Sequence, residues 1–162
     1  MNRRHHLLNA VLLGAALGVL LAPGGGRETA LSVVAVAVPV VLGALVPDVD
    51  VVVGRHRKTL HNLPVLVGFA AFPLVFGNLR YVWIGVATHY ALDLAGSRRG
   101  IALWYPLRSR EFALPWGVAA TDRSAVLVTL LVTAIEVVVL ASVVGYSADA
   151  VVVEAALELV DG

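Results

Sequence analysis

Residues Leu45 to Asn62 read LVPDVDVVVGRHRKTLHN, and they interrupt a chain that is otherwise mostly apolar. The stretch holds two aspartates, two histidines and three cations. The ring of Pro47 disfavours continued helix, and in an extended turn residues two apart project to the same side. Asp48 and Asp50 are therefore expected to face one point. His61 follows within reach of a short loop, with His56 as a second candidate. Carboxylate oxygen and neutral imidazole suit a divalent ion, zinc first, with manganese or iron as alternatives. The competing reading is a solvated loop with capping aspartates.

Around this stretch the composition sets the class. With 59% hydrophobic and 14% charged residues and a mean hydropathy of +0.88, the 162-residue chain is too apolar for a soluble domain. The expectation is an all-α, polytopic helical membrane protein. Apolar runs at Leu7–Leu21, Thr29–Val46, Leu63–Phe76, Tyr81–Ala95 and Ser124–Val144 give about five membrane segments. The third and fourth are short against the roughly 20 residues of a spanning helix, which predicts a tight hairpin. Leu7–Leu21 after a basic start also has features of a signal peptide, but the chain that follows is itself membrane-like. Trp104, Tyr105 and Trp116 mark 96–123 as interfacial, and Asp122 and Ser124 are candidate caps of the last run. Residues 1–146 read as one helical membrane domain. Residues 147–162 form an acidic tail suited to an amphipathic helix on the membrane surface.

Orientation follows from the cations. An inside N-terminus puts Arg3, Arg4, Arg55, Arg57, Lys58, Arg98, Arg99, Arg108, Arg110 and Arg123 on the cytoplasmic side and leaves Arg27 and Arg80 outside. The C-terminus is then outside. The net charge of +1 gives no indication of nucleic acid, and the absence of cysteine excludes disulfides and thiolate metal sites.

This topology gathers the polar residues. His5 and His6 enter the first helix from the cytoplasm, Asp48 and Asp50 leave the second there, and His56 and His61 approach the third. His89 and Asp93, four apart in the fourth run, share one helical face near its cytoplasmic end. Ionisable groups inside an apolar run are expensive and usually face a cavity or a partner. A His to Asp hydrogen bond locking two helices is the structural alternative. Glu136, in the middle of the last run, has no evident partner at its depth and reads as an interhelical hydrogen bond. His56 ranks below His61, because Arg55 and Arg57 flank it and oppose a cation.

The motifs GALVPDVD, HRKTLHN, GVATHYALD and RRGIALWYPLRSREFALP, with His6-Leu7-Leu8 before them, resemble a family of membrane-bound, metal-dependent hydrolases that includes an SOS-inducible bacterial inner-membrane protein. The resemblance covers most of Met1 to Pro115, in order and in approximate spacing. It implies metal-ligating or catalytic roles for Asp48, Asp50, His56, His61, His89 and Asp93. The chain departs from the pattern at Val51, Lys58, Leu60, Asn62 and around Gly96-Ser97. A more distant similarity to zinc-dependent phospholipase C rests on an early ligand, a carboxylate, a histidine and a His-x-x-x-Asp.

Together these observations give a working expectation. One divalent-metal site at the cytoplasmic face is built from Asp48, Asp50, His61, His89 and Asp93, with His6 contributing from the first helix. Such an ion activates water for hydrolysis, and Asp48 or Asp50 takes the proton. Arg98, Arg99, Arg108 and Arg110 are candidates to hold an anionic group, making a phosphoester or a phospholipid headgroup the expected substrate. The alternatives are a non-enzymatic protein with a structural metal or His/Asp clamp, and a small ion transporter. Transport ranks last because the polar groups gather at one face.

Overall fold

The computed structural model describes residues 1–115, 117–119 and 123–161, with the side chains of 78, 146 and 148–161 outside the described set. Trp116 and Asp122, expected at the interface and as a cap, lie outside the described residues.

Among the described residues the protein is helical apart from two isolated bridges, Ser97 with Val118 and Ile101 with Phe112. α1 spans Arg3–Leu21, and its N-terminus is closed by Asn2, whose side chain accepts from the His5 amide. It stops just before Pro23 and the glycines, where Gly25 and Gly26 adopt positive φ of 77° and 68°, a conformation open to glycine at little cost. α2, Gly26–Leu45, returns alongside it. Three helical stretches are long and apolar enough to cross a membrane: Arg3–Leu21, Gly26–Val53 and Ser124–Gly145. Leu63–Leu74 is a shorter apolar helix. All five apolar runs of the sequence are helical.

At Pro47 the structure departs from the expected extended turn. Pro47–Val49 forms a 3-10 turn and Asp50–Val53 the short α3, so the chain stays helical beyond α2. Proline is well tolerated in the first turn of a helix, where its missing N–H has no partner to lose. The consequence is chemical. In a helical turn residues two apart diverge, so Asp48 and Asp50 take different surroundings. α4, Leu63–Ala70, starts at Asn62, whose side chain accepts from the Val65 amide, and has Pro64 in its first turn. Two 3-10 turns, Phe72–Leu74 and Gly77–Leu79, lead to α5, Val82–Gly96. α6 runs from Ser124 to Asp161 without a helical break at residue 146.

α1 packs against α2, α5 and α6, and α5 also against α2 and α4. Ala10, Leu13, Leu17, Val36, Val40, Ala44 and Ile84 form the shared core. The tightest crossing lies between α2 and α5, where a Cβ on Gly85 would collide with the Val40 carbonyl and the Ala44 amide, and one on Gly43 with the Val82 carbonyl. Backbone atoms cannot move aside as a flexible side chain can. Gly85→Val is expected to destabilise the protein by about 1–3 kcal/mol or more through overpacking. Gly145→Val, at an open position, should leave the unfolding midpoint in detergent nearly unchanged.

Candidate metal centre

The close crossing of α2 and α5 lets His89 reach the neighbouring helix. Its Nδ1 donates to the Ala44 carbonyl at 2.7 Å. His61, in the loop before α4, donates from Nδ1 to Asp50 Oδ2 at 2.8 Å. Both rings are fully buried. With each Nδ1 proton committed, a neutral imidazole leaves Nε2 as a bare acceptor. The two Nε2 atoms nevertheless face each other at 3.2 Å. Two lone pairs at that distance repel unless a cation or proton lies between them.

Carboxylates complete the cluster. Asp93 Oδ2 lies 3.6 Å from His61 Nε2 and 3.8 Å from His89 Nε2. Asp48 Oδ1 lies 3.7 Å from His89 Nε2. Ligand atoms about 2.0–2.2 Å from a tetrahedral zinc stand roughly 3.3–3.6 Å apart, so this donor set fits a divalent ion in both spacing and chemistry. Two triads of ligating atoms converge, Asp48 with His61 and His89, and His6 with His89 and Asp93. Both use His89, whose single free nitrogen binds one ion, so they describe one site flanked by Asp48 and His6. The His6 ring stacks on His89 with centroids 3.6 Å apart, and its Nε2 lies 3.4 Å from Asp93 Oδ1. His6 Nδ1 is buried without a partner.

The surroundings hold these ligands in place. Asp50, fully buried, turns one oxygen to His61 and the other to His56 Nδ1 at 2.8 Å. It thus orients two imidazoles. Hydrogen-bonded partners of this kind fix the tautomer and direction of a metal-binding ring. Asp93 Oδ1 contacts the Met1 amine and, at 3.4 Å, Arg57 Nη2. Burial holds the His61 imidazole below its ordinary pKa against the opposing pull of the Asp50 and Asp93 carboxylates, which keeps the ring in its ligating form.

Several of these partners escaped the sequence reading. Arg57, at a positive φ of 65°, is buried and ties Asp93 to the Arg99 and Gly100 carbonyls. Its place among other cations gave no sign of this. The Tyr90 hydroxyl accepts from the Asn62 amide at 3.1 Å and donates to the Leu60 carbonyl at 2.6 Å, holding the loop on both sides of His61. Its position beside His89 was the available clue. Segment 96–115, expected to be interfacial, is packed onto the loop: the Ala102 amide donates to the Arg57 carbonyl and the Leu63 amide to the Leu103 carbonyl.

An open cavity of about 550 Å³ lies beside the cluster, lined by Arg3, Asp48, Val51, Val52 and His56 among others. Arg98, Arg99, Arg108 and Arg110 are not in its lining. Arg99 pairs with Glu111 at 3.3 Å, Arg108 lines a separate cavity with Trp104 and Leu107, and Arg110 sits over the Phe112 ring. The cation at the mouth is Arg3. Next to it Val51, Val52 and Val53 are 64%, 85% and 63% exposed. Gly26–Val53 is roughly 40 Å long at about 1.5 Å per residue, longer than a hydrocarbon core of about 30 Å.

Fold and site together define a helical membrane protein with a buried histidine and aspartate cluster at one end of its helices. The family model described as YdjM inner membrane protein matches residues 1–158, and the chain belongs to that family. No curated protein and no solved structure matches the chain. The resemblance to metal-dependent hydrolases and to zinc-dependent phospholipase C is thereby corrected. The match identifies an inner membrane protein family over nearly the whole chain, and it carries no relationship to either enzyme group.

Asp50→Asn removes the charge that orients His61 while keeping the side-chain shape. Metal affinity, measured by competition with a chromophoric chelator, is expected to fall about 10–100-fold.

Proposed function

We propose that the protein is a membrane-bound, metal-dependent hydrolase, on the strength of its site and not of its family. The bare Nε2 atoms of His61 and His89 held face to face carry the proposal. His61, His89 and Asp93 hold the ion, with Asp48 and His6 beside it. Zinc is favoured for its nitrogen and oxygen donors, with manganese or iron as alternatives. A bound divalent ion supplies Lewis acidity and a nucleophilic water near neutral pH.

The protein's own groups supply the rest. Asp48 is part-exposed on the cavity side and takes the proton from the attacking water. Asp50 and the Ala44 carbonyl keep the two imidazoles aimed. Arg57 offsets the charge of Asp93, and Arg3 at the cavity mouth attracts an anionic group. The exposed valines beside Arg3 favour a substrate that arrives from the bilayer, because each gains roughly 1.5–3 kcal/mol by leaving water. A lipid-borne phosphoester satisfies both features. The cation distribution along the sequence favours the cytoplasmic face for this end.

A His/Asp clamp is the second reading, favoured by one observation: the carboxylates around the two rings also suit a proton shared between the Nε2 atoms. Elemental analysis separates the two. The purified, folded protein is expected to hold or take up about one equivalent of metal, lost in a folded His61→Ala, His89→Ala variant. Metal-free protein that takes up none on titration overturns the hydrolase and leaves the clamp. Asp48→Asn should retain metal and lower turnover of a phosphodiester by about 10²–10⁴-fold. Val53→Asp should depress turnover of a vesicle-borne phosphoester several-fold while sparing a water-soluble one.

A further inference from the structure

We propose that Glu136 is a resident proton-binding site, a carboxylic acid that keeps its proton at neutral pH and presents it on the floor of a lipid-facing cavity. Glu136 lies in the span Ser124–Gly145 and meets two side chains from other helices, Asn9 of α1 and Thr88 of α5. Thr88 Oγ1 is 2.7 Å from Glu136 Oε1, 2.6 Å from Oε2 and 2.5 Å from Asn9 Oδ1. A threonine hydroxyl has one proton to give, and three oxygens compete for it.

The neighbours cannot make up the deficit. Asn9 Nδ2 already donates to Thr133 Oγ1 at 3.0 Å and to Glu136 Oε2 at 2.9 Å. Thr133 donates its own proton to the Thr129 carbonyl at 2.8 Å. With Glu136 ionised, the single Thr88 proton serves either the carboxylate or Asn9 Oδ1, and the other contact, at 2.7 Å or less, has no proton. The charge would also lack a counter-ion. Among the described residues no cation pairs with Glu136, and the titratable groups on α1 and α5, namely Arg3, Arg4, His5, His6, His89, Tyr90 and Asp93, make no hydrogen bond or ion pair with it. An unpaired carboxylate in a membrane span is strongly disfavoured.

One proton on Glu136 gives a donor to both contacts of Thr88, the one with the carboxyl and the one with Asn9. Oε1–H donates to Thr88 Oγ1, Thr88 donates to Asn9 Oδ1, and Asn9 donates to Oε2, closing a ring in which every member is satisfied. The ring links α1, α5 and α6. Asn9 is three residues from His6, and Thr88 adjoins His89, so the ring braces the two helices that carry those ligands.

This proton is reachable from the bilayer. Glu136 and Thr88 line a cavity of about 240 Å³ with Trp83, Ile84, Ile135 and Val139. Trp83, Ile135 and Val139 are exposed on the outside of the bundle, where acyl chains surround the protein.

Two measurements on the full-length protein in detergent at neutral pH test the proposal. The infrared difference between the parent and Glu136→Gln, whose amide can replace the donated proton and preserve the fold, should contain the carbonyl stretch of a protonated carboxyl. Carboxylate stretches in its place overturn the proposal. Dicyclohexylcarbodiimide adds to a protonated carboxyl in apolar surroundings, takes its proton onto nitrogen and rearranges to a stable N-acylurea. Peptide mass spectrometry should find that adduct on Glu136, absent from Glu136→Gln and not formed by a water-soluble carbodiimide. A protonated signal without an adduct overturns the access from lipid.

Discussion

The approach of α2 to α5 at Gly43 and Gly85 is the constraint on which the rest is built. Without side chains at those two positions the helix backbones meet, and the Ala44 carbonyl comes within reach of His89 Nδ1. That bond fixes the ring, aims Nε2 inward and sets Asp48, at the end of the same helical run, on the open side of the cluster. A larger crossing distance would leave His89 as one more polar group in an apolar helix. The steric economy of two glycines is thus translated into the direction of a lone pair.

The cluster has an uneven charge distribution with a physical logic. Its imidazoles are arranged with their protons pointing outward, to Asp50 and to Ala44, so the inner surface consists of acceptors. Asp93 is shared, one oxygen toward Arg57 and the Met1 amine and the other toward the imidazoles. An acceptor-lined interior favours a cation, and the cations of the protein's own chain are held at its rim. The second polar set, around Glu136, is built on the opposite principle. There every donor finds an acceptor within a ring of neutral groups, which is the arrangement least costly in hydrocarbon.

Class and polarity were largely legible in the chain. The apolar runs marked the helices because a bilayer admits little else. The four-residue spacing of His89 and Asp93 marked a shared face because an α-helix repeats every 3.6 residues. The family motif reading was less secure, since it relied on residue types that recur wherever polar groups meet at a membrane surface. The divergence of Asp48 and Asp50 was hidden, because Pro47 is compatible both with a break and with the first turn of a new helix. The surroundings of the arginines were hidden for a related reason: Arg99 and Arg110, near in sequence to the His-Asp pair, turn to Glu111 and to the Phe112 ring, while Arg3, which lines the cavity beside Asp48, comes from the other end of the chain.

The sequence by itself determined that this is a helical membrane protein, where its apolar segments lie and which imidazoles and carboxylates are present. Those properties depend on local composition and helical period, which a chain carries before it folds. The tertiary structure alone decided that Asp50 pairs with His56 and His61, that Arg57 and Tyr90 tie down the surrounding loop and that Glu136 meets Asn9 and Thr88. Each of these rests on contacts between helices, and their partners are chosen by the crossing distances and rotations that packing sets.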